Sequence, residues 1–279
     1  MKNIVFVSVF FAFLSLFAAE NKDDFSIVTK VPDGIFNFTF SELVITGNGV
    51  SGMNPVNFNS AKINAEKSAL SNALEKTVNV LYSLVLTGKI TAKNYFEDKK
   101  QPDFIKKLVS ADDFKEIIQE RYYSNASVDV TYKVDVSGYL RKIAEAVKSD
   151  YIHDEEVPEG NEVCGCKNET CKTALVIDAK NIKIEPSLLV SLIDEAGEKI
   201  YDISMSSVDE KTFTLPFWVK KKADFLIKEG SFPAEFLYIK AFKKGKNSEI
   251  VIKSEDTAKI RNELSESVFQ SGTIAVIVN

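Results

Sequence analysis

The longest regular pattern in this sequence lies at residues 59–86, where apolar residues recur with a helical period. Alanine occupies every fourth position in the first part of this stretch, and leucine and valine form an adjoining stripe. A four-residue spacing puts side chains on one face of an α-helix, and small side chains let that face approach a sheet closely. The pattern therefore predicts a long, core-facing helix. Its alanine row consists of Ala61, Ala65, Ala69 and Ala73.

A second pattern, strict alternation of apolar and polar residues, is clearest at residues 128–136. Val128 and every second residue after it are apolar, and the residues between them are polar. Period two is that of a half-buried β-strand. Shorter apolar runs predict further strands at residues 25–30, 35–40, 43–46 and 88–92.

Two more helices are predicted in the first half of the chain. One starts after Pro102 and runs to about Arg121, and the other covers residues 139–147. A helical spacing would give the first of them a buried face. The residues of that face are Phe104, Leu108, Phe114 and Ile118.

The second half of the chain shows a mixture of short strands and short helices. The segment around Gly197 predicts a hairpin between residues 188–193 and 199–204. Ser254 is predicted to cap a helix that ends near Phe269, and an earlier short helix ends at Ile227. The other predicted strands are residues 174–179, 213–220, 236–242, 249–253 and 273–278.

Between the halves, residues 148–172 are acidic, contain Pro158 and Gly160, and show no regular period. Such a stretch is typical of a linker or an exposed loop. The sequence thus predicts an α+β protein with two small domains, residues 20–147 and 173–279, each a mostly antiparallel sheet packed by helices.

The first residues of the sequence indicate the cellular compartment of the protein. Lys2 precedes an apolar run at residues 4–17, and Ala18 and Ala19 precede a polar stretch. This order is typical of a secretory signal peptide over residues 1–19, and the apolar run is short for a membrane span. Export to the periplasm or the outer membrane is expected, with an uncleaved anchor as the alternative.

Composition narrows the function classes. The chain has 279 residues, of which 45% are apolar and 27% charged, and its formal net charge is −5. This composition supports folded cores and argues against a disordered chain. A modestly acidic protein has no overall field that would hold nucleic acid, so no nucleic-acid partner is expected.

Residues 47–52 spell GxGxxG after a predicted strand, which is the spacing of a dinucleotide-binding loop. Met53-Asn54-Pro55 separates these glycines from the predicted helix, and Glu66 and Glu75 lie inside that helix rather than after a second strand. The context therefore favours a glycine-rich turn, and no cofactor is expected.

Cys164, Cys166 and Cys171 are the only cysteines of the chain. In an oxidising compartment a disulfide is the default. A bridge between the first two would close a strained ring, so Cys166–Cys171 or Cys164–Cys171 is favoured. One thiol is then left over, for exchange, for a bridge to a partner chain, or for no role. A zinc site that includes His153 matches no common ligand spacing, and the surrounding glutamates disfavour a redox thiolate.

No catalytic set stands out. His153 is the sole histidine and lies beside three acidic residues, so a serine or cysteine nucleophile would have to use it as its base. Asp112 and Asp113 are neighbours and would point in different directions. A solvated role is favoured for all three residues, and the chain is expected not to be an enzyme.

Two lysine runs are candidate contacts for an anionic surface, either lipid phosphates or an acidic glycan. The alternative is that they form a solvated rim at strand ends and a turn. The residues are Lys220, Lys221, Lys222, Lys243, Lys244 and Lys246.

Several of these features together resemble a known family. The segment Val44-Ile45-Thr46-Gly47-Asn48-Gly49, the alanine row and the alternating strand are similar to the LPP-twenty-type outer-membrane lipoproteins, a group that includes proteins of the flagellar basal disk. Residues 173–179, 239–241, 250–252 and 275–278 resemble the carboxy-terminal module of larger members. The chain lacks the lipobox cysteine of that family. The resemblance implies an envelope location and assembly into rings or disks, and it brings no catalytic residues.

The sequence therefore predicts a non-enzymatic cell-envelope protein, structural or assembly-related, associated with the outer membrane or the flagellar basal body. Its expected partners are copies of itself or other envelope or flagellar proteins, with possible peripheral contact to the outer membrane. The alternative is a periplasmic module that binds a glycan or small ligand between its domains. A hydrolase or redox protein would need His153 or Cys171.

Overall fold

The structure, a computed structural model, describes residues 24–32, 34–51, 57–154, 171–207 and 213–279, with the backbone alone for residues 150–154. The predicted signal peptide, Cys164, Cys166 and most of the acidic linker lie outside the described residues. The fold is α+β, as the patterns predict, and each half of the chain contributes its own sheet.

In the first half, the described residues form a five-stranded antiparallel sheet, a two-stranded hairpin and several helices. The sheet has the order β1-β2-β3-β7-β6, and β4 pairs with β5. The elements are β1 (Val28–Val31), β2 (Gly34–Asn37), β3 (Glu42–Gly49), α1 (Phe58–Ser83), β4 (Val85–Thr87), β5 (Ile90–Thr91), α2 (Ala92–Asp98), α3 (Phe104–Leu108), β6 (Glu116–Tyr122), β7 (Val128–Asp135) and α4 (Ser137–Asp154).

The predicted long helix and its alanine row are confirmed. Asn57 caps α1 by accepting a hydrogen bond from the Ser60 amide, and the Ser60 hydroxyl accepts one from the Asn57 amide. The alanine row is buried against β3. Gly47 and Gly49 lie inside β3, not in a turn, so the predicted turn is wrong. A Cβ on either glycine would come within about 2 Å of a carbonyl oxygen of α1.

The prediction that the helix after Pro102 runs to about Arg121 is also wrong. Helix α3 ends at Leu108, and Ser110 caps a short 3-10 turn by accepting a hydrogen bond from the Asp112 amide. The chain then forms β6, in which Ile117 lies opposite Tyr132 of β7. Ladder hydrogen bonds to β7 and the strand preference of β-branched residues prevail over the helical spacing.

The described residues of the second half form two four-stranded sheets. They have the orders β11-β15-β8-β12 and β10-β9-β14-β13. The elements are β8 (Ala174–Asp178), β9 (Leu192–Ile193), β10 (Lys199–Tyr201), β11 (Phe217–Lys220), α5 (Asp224–Lys228), β12 (Phe236–Lys240), β13 (Lys243–Lys244), β14 (Ile250–Val251), α6 (Ser254–Glu263), α7 (Glu266–Ser271) and β15 (Ile274–Val278).

The sheet β11-β15-β8-β12 has the longer strands and is called the larger sheet of the second half. All its strand pairs are parallel, a feature that the alternation patterns do not predict. Every residue of β8 and β15 is buried, because alternate side chains enter two separate core clusters on the two faces of the sheet. Continuous apolar strands are typical of parallel sheets covered on both sides. The parallel pairing also places the carboxyl ends of all four strands at one edge.

Two smaller differences concern helix ends. Lys253, not Ser254, is the N-cap of α6, and its side chain makes no capping hydrogen bond. Helix α4 continues to Asp154, beyond the predicted end at residue 147. The predicted hairpin around Gly197 is confirmed in the antiparallel pairing of β9 with β10.

The two halves share hydrogen bonds and a core. The amides of Leu188 and Leu189 donate to the carbonyl oxygens of Val85 and Leu86, and both leucines join the core of the first half. Residues 25–27 belong to the first half in sequence but pack on the second half. There, Ser26 forms an antiparallel bridge to Val219 of β11.

Candidate functional site

The carboxyl ends of the four parallel strands carry an unusual concentration of lysines. Counting the last residue of each strand and the segment after it (178–185, 220–224, 240–244 and 278–279), there are eight lysines and three acidic side chains, a local side-chain charge of +5 in a chain of formal net charge −5. We call these four segments the basic edge. Its lysines are Lys180, Lys183, Lys220, Lys221, Lys222, Lys240, Lys243 and Lys244.

The sheet topology explains why these residues meet. The lysines come from three segments far apart in sequence, and each segment follows a strand of the same parallel sheet. Neighbouring strands lie about 4.8 Å apart, so the strand ends at Lys220 of β11 and Lys240 of β12 are separated by roughly 14 Å. In open sheets of parallel strands, ligands bind outside the carboxyl ends.

One end of the basic edge contains a cleft of about 460 Å³. Lys180, Lys183 and Lys220 line it, together with Asn181 and Glu185. Lys180 and Lys220 are half-buried, whereas Lys183 is exposed. Three lysines and an asparagine therefore border one solvent-filled volume.

Asp178 ties part of the basic edge together. Its carboxylate accepts hydrogen bonds from the Tyr238 hydroxyl and from the Lys180 amide at 3.1 Å, and the Lys180 ammonium lies 3.3 Å away. Burial alone would raise the pKa of Asp178, but these hydrogen bonds outweigh it and hold that pKa below its usual value. Burial and the hydrogen bond to Asp178 raise the pKa of Tyr238 to about 12.

The run Lys220 to Lys222 is shaped by Phe25 from the first half of the chain. The Lys220 amide donates to the Phe25 carbonyl oxygen at 2.8 Å. The ammonium groups of Lys221 and Lys222 lie 5.6 and 6.0 Å from the centroid of the Phe25 ring, within the range of cation–π attraction. The ring itself stacks on Phe225 at 5.0 Å. The run therefore has a fixed backbone rather than a loose loop.

The second predicted lysine run is divided by the structure. Lys243 and Lys244 form β13 and extend the basic edge, and both are exposed. Lys246 lies in the turn after them and lines a different cleft of about 480 Å³. That cleft lies between the tip of the β4–β5 hairpin and the smaller sheet of the second half, and the ion pair between Lys199 and Asp202 forms part of its wall.

The cysteines, His153 and the glycine motif, which the sequence offered as candidates for other chemistry, form no binding or catalytic site within the described residues. Cys171 is disulfide-bonded, and the two other cysteines, Cys164 and Cys166, lie outside the described residues. His153 lies on α4, and its side chain also lies outside them. Within the described part of the chain, no group of three His, Cys, Asp or Glu residues could hold a metal ion. Gly47 and Gly49 serve helix packing.

Three lysines of the basic edge were not singled out from the sequence, namely Lys180, Lys183 and Lys240. None of them has another lysine next to it, so they form no run. The signal that could have found two of them is that Lys240 is the last residue of a mainly apolar strand and Lys180 lies two residues after the end of another. Only parallel pairing brings those strand ends together.

Comparison with known proteins gives one family match. Residues 174–279 match the family model for the second domain of Treponema pallidum Tp0624, and this segment contains the whole basic edge. No curated protein matches the chain. Within the described residues, no helix is both long and apolar enough to cross a membrane.

Proposed function

We propose that this chain is a non-enzymatic protein of the cell envelope that attaches to a polyanionic envelope component through the basic edge. The single observation that carries the proposal is that the basic edge is positively charged whereas the chain as a whole is negatively charged, because eight lysines lie at one sheet edge. The envelope location rests on the predicted leader at residues 1–19 and on the resemblance to LPP-twenty-type proteins.

The width of the basic edge favours an extended ligand. Its lysines are spread along an edge of roughly 14 Å between the outer strand ends, wider than one phosphate or carboxylate group. Lysine is a point charge on a flexible stem, which suits many loose contacts rather than one rigid site. A polymer or surface that repeats its negative charges fits this arrangement.

The test measures binding of residues 20–279, which contain every described residue, to soluble inorganic polyphosphate by fluorescence anisotropy. We expect binding that weakens more than about tenfold between low and physiological salt, because exposed charges are screened. Replacing Lys220, Lys221 and Lys222 with Gln should weaken it strongly.

The matched control replaces Lys93, Lys106 and Lys107 with Gln. These three lysines are exposed and lie in the first half of the chain, so the control removes the same charge away from the basic edge. Equal weakening by both triple variants would contradict the proposal, because the attraction would then follow total charge instead of the basic edge.

A second candidate function, binding of a small polar ligand, is favoured by the cleft beside the β4–β5 hairpin. The cleft of about 480 Å³ is lined by hydroxyl, amide, ammonium and carboxylate groups from both halves. Ligand screening by thermal shift, with Lys246→Gln as the variant, tests it. A ligand whose shift is unchanged in the variant binds elsewhere.

Self-association through a sheet edge has less support than attachment. The edge strand β6 exposes Ile117 and Ile118 but contains a bulge at this point of its ladder with β7. Bulges and charged residues on edge strands hinder pairing with another chain. Assembly with copies of itself therefore stays a prediction, to be tested by light scattering with and without reductant.

A further inference from the structure

We infer that the basic edge is the membrane-facing surface of this protein and that its ligand is an anionic lipid bilayer. The inference rests on the proposed function and narrows it, because a bilayer differs from a soluble polyanion in having an apolar layer beneath its charges. Two further observations, the exposed aromatic residues and the position of the chain start, favour the bilayer.

Exposed aromatic side chains lie among the lysines. Along β12 and the residue pair after it, Leu237, Ile239 and Ala241 are buried, whereas Tyr238, Lys240 and Phe242 are exposed. Phe242 is 46% exposed, and the Lys243 ammonium lies 5.6 Å from its ring centroid. An aromatic ring beside an ammonium group can insert between headgroups while the lysines contact phosphates. A soluble polyanion offers no such apolar layer.

The start of the described chain lies at the same surface. Phe25 is in contact with Lys221 and Lys222. In the sequence, only residues 18–23 separate Asp24 from the apolar run at residues 4–17. Seven residue-to-residue steps join residue 17 to Asp24 and span at most about 25 Å when extended, so a bilayer that holds the apolar run lies within that reach of Asp24. The precursor, or an uncleaved chain, would thus present its lysines to the lipid.

The charge balance matches an anionic leaflet. A lysine close to such a leaflet strengthens binding by about fivefold, so three lysines together contribute on the order of 100-fold. The acidic remainder of the chain is repelled by the same leaflet. The protein would therefore bind with one orientation, basic edge toward the lipid.

The experiment uses residues 20–279, so that the apolar run cannot contribute, with vesicles of mixed phosphatidylglycerol and phosphatidylcholine or of phosphatidylcholine alone. Co-sedimentation measures binding. A second readout uses Phe242→Trp, whose emission should shift to the blue and be quenched by lipids with a bromine or nitroxide on the acyl chain. The matched variant is Phe58→Trp, at a 74% exposed position in the first half. The native Trp218 is 1% exposed and gives a constant background.

We expect binding to the anionic vesicles alone, a loss of about 100-fold in the variant Lys220→Gln, Lys221→Gln, Lys222→Gln, and quenching at position 242 but not at position 58. Polyphosphate binding without vesicle binding would overturn this inference and leave the proposed function in place. Equal binding to both vesicle types, or quenching at position 58 alone, would also overturn it. Absence of binding to polyphosphate and vesicles alike would overturn both.

Discussion

At the scale of single residues, Asp178 shows how a carboxylate can sit inside a basic surface and support it. It is 8% exposed, ends the central strand β8, and is held by Tyr238 and Lys180 from two sides. Its hydrogen bonds are charge-assisted and so stronger than neutral ones. The side chain therefore fixes the position of Lys180, which lines the cleft, while lowering the net charge of the basic edge by one.

Asp178 should make the stability of the protein depend on pH. Its folded pKa lies below the unfolded value, so its stabilisation is present above about pH 3.9 and is lost as the pH falls through the folded pKa. Asp178→Asn should cost about 1–3 kcal/mol at pH 7 and less at pH 3, as measured by urea unfolding. The exposed neighbour Glu185→Gln should change stability by under about 0.5 kcal/mol at pH 7. A cost for Asp178→Asn that is equal at both pH values would contradict this account.

At the scale of elements, α1 and β3 form a close contact that depends on the absence of side-chain bulk on both. Ala65 and Ala69 present their carbonyl oxygens to Gly49 and Gly47, respectively. The helix can approach this closely because one side offers alanines and the other glycines. The glycine motif is thus a packing device, although its spacing matches that of a phosphate-binding loop.

Gly47→Ala should therefore destabilise the protein, by about 1–3 kcal/mol, although alanine restricts the unfolded chain more than glycine does. Its added Cβ would lie 2.0 Å from the Ala69 carbonyl oxygen. The control is Gly138→Ala near the start of α4, where a Cβ meets nothing within 4 Å and should stabilise the helix by up to about 1 kcal/mol. Thermal and urea unfolding measure both. Two effects of the same sign would show that the close contact does not govern stability at Gly47.

At the scale of the whole molecule, the N-terminal segment connects the two halves. Phe25 is 5% exposed and lies in the core on one face of the parallel sheet, although the rest of its half forms a different sheet. The same residue contacts Lys221 and Lys222, so the shape of the basic edge depends on a segment that lies about 195 positions earlier in the sequence. The core on this face of the parallel sheet in the second half thus includes a residue, Phe25, from the first half.

Phe25→Ala should destabilise the molecule by about 3 kcal/mol or more, because it removes a buried ring and leaves a cavity. Hydrogen exchange should speed up in β11 and α5, which contact the segment, more than in α1. The exposed Phe58→Ala should change stability by under about 0.5 kcal/mol. Faster exchange confined to the first half would contradict the assignment of Phe25 to the core of the second.

The sequence alone determined the features that depend on local periodicity. The helix with its alanine row, the alternating strand β7 and the α+β class follow from the spacing of apolar residues, because that spacing is set by backbone geometry. The hairpin of β9 with β10 follows from the turn segment around Gly197. The lysine runs were visible as well, since they are contiguous. The resemblance to LPP-twenty-type proteins stays a prediction.

Only the tertiary structure decided which strands pair, and in which direction. The pairing of β6 with β7 converted a predicted helix into a strand, and parallel pairing in the second half gathered Lys180, Lys183 and Lys240 beside the two lysine runs. The second outcome depends on hydrogen bonds between segments far apart in the sequence, and the first on hydrogen bonds from β6 to the next strand along the chain. Neither set of hydrogen bonds is recorded in the spacing of apolar residues within one segment. The physical reason is that strand pairing determines which residues lie next to a strand end. Those neighbours come together only once the sheet has formed.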